Sequence, residues 1–347
     1  MLSSLALATR GVLISNVDPL LDTRGAIVRA KDGNIEFRAG RWWMFGMSYG
    51  LCQEPDGPNG CANNSVGACG FRLDHNVSLY SSPDLSSGSW ELESPSVLPI
   101  DARPSGIYFA PKIKYHAAAQ VWVLWVNYLY QPETYGFSRS QYLTATSASA
   151  RGPFAVKRTN ATVGQLPGGD FDLFVSGDDA YLIYTSHLTT APPNHLMSVE
   201  RLTPDWLDST RVTSGFFGAS FVESPVMFER KGTFYALFDH CCCFCGGGSG
   251  AVVHTAPHPL GPWTNGSQIG AYDNGSSVPM AQQRSVLWHE DTLVWQGQRW
   301  QSAPDRVKDH DFATWLPLEF DDGEPPRLKN MTWRSSWTLG GERTSVA

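Results

Sequence analysis

Residues 225–238 read PVMFERKGTFYALF. Apolar and aromatic residues run up to Arg230 and resume at Thr233, and the Lys231-Gly232 pair between them is a tight-turn signal. The stretch predicts two β-strands joined as a hairpin. Four other segments share the pattern: GNIEFRAGRWWMFG from Gly33, PKIKYHAAAQVWVLW from Pro111, LFVSGDDAYLIY from Leu173 and SVLWHEDTLVWQG from Ser285. In chain order the five copies start 78, 62, 52 and 60 residues apart. After most copies comes a second hairpin-like stretch: VSLYSSPDLSSGSW, QYLTATSASARGPF, HLMSVERLTPDWL, AVVHTAPHPLGPW and DFATWLPLEF. Four strands of about 5–6 residues with their loops fit such a period. Runs with helical periodicity and caps are nearly absent.

A lone four-stranded sheet cannot bury both its faces, whereas five arranged radially can, leaving only short edges. The reading is therefore an all-β, five-bladed β-propeller forming a single domain over residues 1–347, with blades at about 26–95, 107–157, 170–210, 221–265 and 280–320. A β-sandwich would not explain five units of one pattern. Residues 320–347 are expected to return and close the ring against the first blade.

Composition agrees with a large core. Of 347 residues 42% are hydrophobic, with 13 Trp, 12 Tyr and 17 Phe, and only 17% are charged, against about 25% in typical globular chains. The net charge of −7 with no basic run argues against nucleic acid and anionic membrane surfaces as partners. No apolar run approaches the roughly 18 residues of a membrane span. The N-terminal MLSSLALATRGVLIS is weakly apolar without a basic segment, which fits either the remnant of a signal peptide or ordinary chain. Six N-x-S/T sequons, at Asn63, Asn76, Asn160, Asn265, Asn274 and Asn330, exceed chance and point to a secreted, glycosylated protein. Seven cysteines form two clusters, Cys52, Cys61 and Cys69, then Cys241, Cys242, Cys243 and Cys245. Zinc-type C-x-x-C pairs do not recur, so disulfides stapling two long loops are expected, with pairing left open.

The inner strand of a propeller blade begins at the central channel, so the residues before each first strand converge there. Asp32 precedes the first, Asp170 the third and Glu223 the fourth; Gln282, Gln283 and Arg284 precede the fifth, and the second, GIYFAPKI, carries no acid. Asp32 in AKDGN and Asp170 after two glycines are each acceptable turn residues, and Asp172 is a rival to Asp170. Glu223 in VESPVMF is flanked by apolar residues, where an unused acid is costly. Carboxylates facing one another across a funnel suit glycoside hydrolysis: one protonates the leaving oxygen, a second serves as base or nucleophile, and a third tunes the acid.

These segments resemble glycoside hydrolase family 43 and its five-bladed relatives. DGNIEFRAGRWWMFG, DFDLFVSGDDAYLIY and ESPVMFERKGTFYALF match the family's three acid-bearing phrases, and YSSPDLSSGSW and APHPLGPW match its outer-strand phrases. The resemblance implies an inverting mechanism, with Asp32 as general base, Asp170 modulating and positioning the acid, and Glu223 as general acid. Within the family, DTRGAIVRAKDGNI and WQGQRW resemble the exo-β-1,3-galactanase branch. There a blade-five Gln is held to stand in for the base, a position that Gln282 matches. Phe109 and Ala110 replace that branch's blade-two acid, and Lys31 replaces a His. The expected activity is an inverting exo-glycoside hydrolase on cell-wall polysaccharide or arabinogalactan-type glycans of galactose, arabinose or xylose units; the alternative is a non-catalytic carbohydrate-binding propeller. Sugar faces stack on aromatic rings while hydroxyls take polar side chains. Gln282, Tyr108, Phe109, Phe244, Arg299 and Trp300 are the substrate-binding candidates, with Arg299 able to hold either a hydroxyl or Glu223. No cofactor or metal is expected, nor any calcium loop. The protein is expected to act as a monomer on an oligosaccharide or polysaccharide.

Overall fold

The computed structural model describes residues 11–61, 63–164, 167–186, 195–240, 244–273, 276–321 and 323–340. The first ten residues, Cys241, Cys242, Cys243 and the sequon residue Asn274 lie outside them. Five antiparallel sheets follow one another along the chain. The first is Lys31–Arg38, Arg41–Ser48, Asn76–Ser82 and Glu91–Ser94; the second is Gly106–His116, Val121–Tyr130, Ser140–Ser147 and Ala155–Ala161. The third is Gly168–Ser176, Asp179–Ser186, Leu196–Leu202 and Ser209–Thr213; the fourth is Val222–Arg230, Thr233–His240, Ala251–Ala256 and Ser267–Gly270. The fifth has three strands, Gln282–His289, Thr292–Arg299 and Phe312–Pro317. The molecule is an all-β five-bladed propeller. Among the described residues no helix is long and apolar enough to cross a membrane.

The hairpins follow from local chemistry. Ala39-Gly40 and Lys231-Gly232 both take positive φ (52° and 75°, 50° and 75°), the geometry of two-residue turns that match strand twist. The second strand of each blade is buried on both faces, as in Val121–Tyr130, where eight consecutive residues are buried. Such continuous burial requires a sheet on either side. Apolar clusters fill the gap between every pair of consecutive blades. Phe45, Leu79, Ile113 and Leu124 join blades one and two; Trp125, Tyr142, Leu173 and Leu182 join two and three. Ile183, Val199, Met227 and Phe238 join three and four, and Leu237, Val253, Leu293 and Trp295 join four and five.

The fifth gap closes the ring. Met44, Trp90, Leu287 and Val294 meet there with Ile14 and Leu339 from the two ends of the described chain. Strand Ser336–Leu339 does return, but its partner is the N-terminal strand Val12–Ser15 and not a blade-one strand. Asn16 fastens this pair to the third strand of blade five. Its Nδ2 donates to Trp315 O at 3.0 Å and to Arg334 O at 2.8 Å, while its Oδ1 accepts the Trp315 N–H at 2.8 Å. Among the described residues blade five thus has three strands and is flanked by the paired strands Val12–Ser15 and Ser336–Leu339.

Asn16→Ala strands buried backbone groups of Trp315, a loss of about 2–3 kcal/mol. The expected outcome is a lower denaturation midpoint with a cooperative transition, checked by urea unfolding followed by tryptophan fluorescence.

Candidate active site

The inner strand of every blade breaks register once. One extra residue enters between Lys31 and Asn34, Phe109 and Lys112, Gly168 and Phe171, Glu223 and Val226, and Gln283 and Ser285. These bulges ring the channel. Asp32, Ala110 and Ser224 take positive φ within them (56°, 47° and 51°), a conformation that costs non-glycine residues about 1–3 kcal/mol each. Gly33 shows how tight the crossing is, since a Cβ there would lie 1.7 Å from Phe45 O.

The three acids occupy three successive slots of this repeated bulge rather than one equivalent position. Glu223 is the last paired residue before it, Asp32 the first bulged residue and Asp170 the second. All three line one cavity of about 440 Å³. Asp172, the rival, is buried beneath it and answers the charges of Lys112 and Lys114. Blade two contributes Phe109, Ala110 and Lys112, and blade five Gln282, Gln283 and Arg284. Phe71, Phe137, Phe171 and Phe244 supply apolar wall.

Each acid has a distinct environment. Asp32 accepts a hydrogen bond from the Tyr49 hydroxyl on its Oδ2. Burial raises its pKa above the ordinary carboxylate range, the Tyr49 hydrogen bond opposes this, and the Asp170 charge adds to the rise. Asp170 Oδ2 accepts from both the N–H and the hydroxyl of Ser224, at 3.2 and 3.0 Å, tying blade three to the bulge of blade four. Glu223 is 13% exposed in its side chain and faces His195 Nδ1 at 3.6 Å. The Gln282 amide stands 3.4 Å from Glu223 Oε2.

The orientation of Gln282 follows from Trp300. An indole N–H only donates, and Trp300 Nε1 reaches Gln282 Oε1 at 2.7 Å. The carbonyl of Gln282 must therefore face Trp300, which turns its NH₂ toward Glu223. Gln283 is held similarly, its Oε1 accepting from Trp295 Nε1 at 2.8 Å and its Nε2 donating to Ser224 O at 2.6 Å.

Lys112 and Arg284 line the cavity, and a third buried cation, Lys31, lies outside its lining. Lys112 Nζ donates to Arg284 O and, at 3.4 Å, to Gly33 O, linking the bulges of blades one and five. Burial lowers Lys112 and Lys31 to about 8 and Arg284 to about 10. Among the described residues no group of three or more His, Cys, Asp or Glu side chains is placed to hold a metal ion.

Two long loops build the wall. Cys52 and Cys69 form a disulfide with each other, and Cys61 and Cys245 each take part in a disulfide as well. The blade-one and blade-four loops meet where Gly246 N–H donates to Pro58 O at 3.2 Å. Behind Phe244, Lys308 Nζ sits 3.4 Å from its ring centroid and 4.0 Å from that of Trp300, and 3.3 Å from Glu54.

Of the sequence-expected binding residues, Phe109, Phe244 and Gln282 line the cavity; Tyr108, Arg299 and Trp300 do not. Neighbouring strand residues face opposite sides, so Tyr108 turns away from Phe109's side and donates to Pro104 O at 2.6 Å. Arg299 lies outside the cavity lining, its Nη1 donating to Asn16 O at 2.6 Å, and so serves ring closure. Trp300 is buried and acts through Gln282. Sequence reading missed Tyr49, Lys112, Asn127 and His195. A polar Asn inside VWVLWVNYLY and a Lys inside GIYFAPKI were legible as anomalies, whereas nothing local marks Tyr49 or His195.

A scan of protein-family models finds no match to the sequence, and a search of curated proteins finds none either. Solved structures do match. An exo-β-1,3-galactanase from Clostridium thermocellum superposes with a TM-score of 0.72 at 20% identity, covering 94% of this chain and 67% of that one. An exo-β-1,3-galactanase from Phanerochaete chrysosporium with galactose gives 0.71 at 19% identity, covering 95% and 69%. A family 43 β-1,3-galactosidase gives 0.70 at 21% identity, covering 95% of this chain and 64% of that chain, so this chain spans under two thirds of its length. The fold is the five-bladed propeller of glycoside hydrolase family 43 structures. At these identities it is the fold that is shared.

Tyr49→Phe removes a donor that favours the ionised form of Asp32, so the Asp32 carboxyl is expected to titrate at a still higher pH. Carboxyl ¹³C NMR titration of the variant beside the parent checks the direction.

Proposed function

We propose that this protein is an inverting exo-glycoside hydrolase acting on galactose-, arabinose- or xylose-containing cell-wall or arabinogalactan-type glycans. The observation that carries the reading is the meeting of Asp32, Asp170 and Glu223, from three blades, around one aromatic-walled cavity. Exo-β-1,3-galactanases and a galactosidase of the same fold make galactose the first sugar to try.

In the mechanism Glu223 gives its proton to the glycosidic oxygen as the bond to the anomeric carbon breaks. Asp32 removes a proton from the water that attacks the opposite face of the ring. Asp170 sets the position of the Glu223 backbone through Ser224 and contributes negative charge near both. Gln282 donates toward Glu223 and has its carbonyl occupied by Trp300, which favours Asp32 over Gln282 as the base. The stapled loops close one side of the cavity, an arrangement suited to taking a chain end. Lys112 and Arg284, which line the same cavity, offset the negative charge of Asp32. The protein acts outside the cell as a glycosylated monomer: disulfides fit an oxidising compartment, and the sequon residues Asn63, Asn160, Asn265 and Asn330 are exposed.

Glu223→Gln is expected to lower turnover by a factor of about 10³ or more while leaving the thermal transition and sugar binding in place. The assay is product release from a glycan panel, with the anomer of the first-formed sugar read by ¹H NMR. Inversion of configuration supports the mechanism, and retention would overturn it. Binding of oligosaccharide by the parent without any release of sugar would instead favour the carbohydrate-binding alternative, for which the acid-free bulge of blade two is the relevant observation.

A further inference from the structure

Asp239 is a buried acid that the mechanism leaves unused. Asp239 lies directly opposite Glu223, because the blade-four ladder pairs Val222 with His240 and Glu223 with Asp239. Residues opposed in an antiparallel ladder share a face, with Cβ atoms about 4.5–5.5 Å apart, and like charges there are destabilising. Asp239 has no exposed surface. Its Oδ2 accepts the Gln283 N–H at 3.1 Å, and its Oδ1 has no hydrogen-bond partner among the described residues. It makes no salt bridge within them either. An Asn there would accept the same Gln283 N–H without the buried charge.

We propose that Glu223 and Asp239 form a dyad that holds one proton between them, so that Asp239 keeps the general acid protonated and ready to donate. The proposal rests on the reading of Glu223 as the acid. Two carboxyls at this separation cannot both ionise easily, and their titrations belong to the pair. The burial of Asp239 and, next, the charge of Glu223 push the Asp239 carboxyl well above its ordinary range. The Gln283 N–H opposes that rise at Asp239 without outweighing it, and Glu223 is the member of the pair that lines the cavity and can pass the shared proton on. During bond cleavage that proton passes to the leaving oxygen. The dyad then carries two negative charges, and their repulsion favours recapture of one proton from solvent through the cavity. The other groups facing the pair are Asp170 of blade three and His195, with the neutral amides of Gln282 and Gln283 from blade five. Asp32, Lys112 and Arg284 line the rest of the same cavity.

Asp239→Asn tests the proposal, since it keeps the shape and the acceptor for Gln283 while removing the charge. The alkaline limb of the pH–rate profile, measured on the glycan that the panel identifies, is expected to move down by about one pH unit, with the acid limb set by Asp32 unmoved. A merely structural Asp239 would depress turnover at every pH, or lower the melting temperature, without moving that limb. Carboxyl ¹³C NMR titration gives a readout independent of activity: Glu223 should titrate lower in Asp239→Asn, and Asp239 lower in Glu223→Gln. Unchanged titration of the remaining carboxyl in both folded variants overturns the dyad, and if Asp239→Asn fails to fold, the Glu223→Gln titration decides alone. Shifted titrations together with full turnover by Glu223→Gln would uphold the dyad and remove Glu223 from the role of acid.

Discussion

The register break on each inner strand is the constraint on which the site depends. A regular strand would send successive side chains alternately to the two neighbouring blades. The extra residue lets the chain turn at the channel, so acids from three slots of that bulge reach the same cavity. Its cost is visible in the backbone, where Asp32, Ala110 and Ser224 sit at positive φ and Gly33 passes under Phe45 O with no space for a side chain. Apolar packing between all five pairs of blades holds these strained segments in place, and strain of this kind persists only where the surroundings over-determine it.

The cations among the bulges are buried, so charge there is balanced by neighbouring groups of the protein. Lys112, Lys31 and Arg284 are buried among the bulges and lowered from their usual values chiefly by that burial. Lys112 does double duty in geometry: its ammonium spans backbone carbonyls of blades one and five, the two blades that the ring must bring together last. The acids above are distinguished by what they touch. A phenol approaches Asp32, a bulge N–H and a hydroxyl anchor Asp170, and an imidazole and an amide approach Glu223. Chemically similar carboxyls thereby meet different hydrogen-bonding surroundings.

Around this floor the wall is assembled from parts with little secondary structure. Disulfides restrain the loops of blades one and four, and Lys308 packs its ammonium against Phe244 and Trp300 while paired with Glu54. Trp300 then reaches through Gln282 to Glu223. A wall residue and the acid are thus mechanically linked, which explains why Trp300 matters to the site without lining it.

The fivefold repetition of a hairpin followed by a second hairpin was legible in the sequence, because alternation, turn dipeptides and aromatic strand ends are local properties. The acids were legible too: Glu223 stands among apolar residues, and Asp32 and Asp170 precede repeated strands. Their slots in the bulge were not, since one unpaired residue more or less leaves no mark in composition. Nor were Tyr49 and His195, whose only distinction is what folding places beside them. Tyr108 and Arg299 looked like site residues by proximity in the chain, but strand alternation and the demand of ring closure sent them elsewhere. Asp239 reads as an ordinary strand-end acid until the ladder sets it opposite Glu223. Periodicity within a few residues therefore determined the architecture, whereas register between strands and contact between blades, both long-range, decided which side chains share a proton, a charge or a wall.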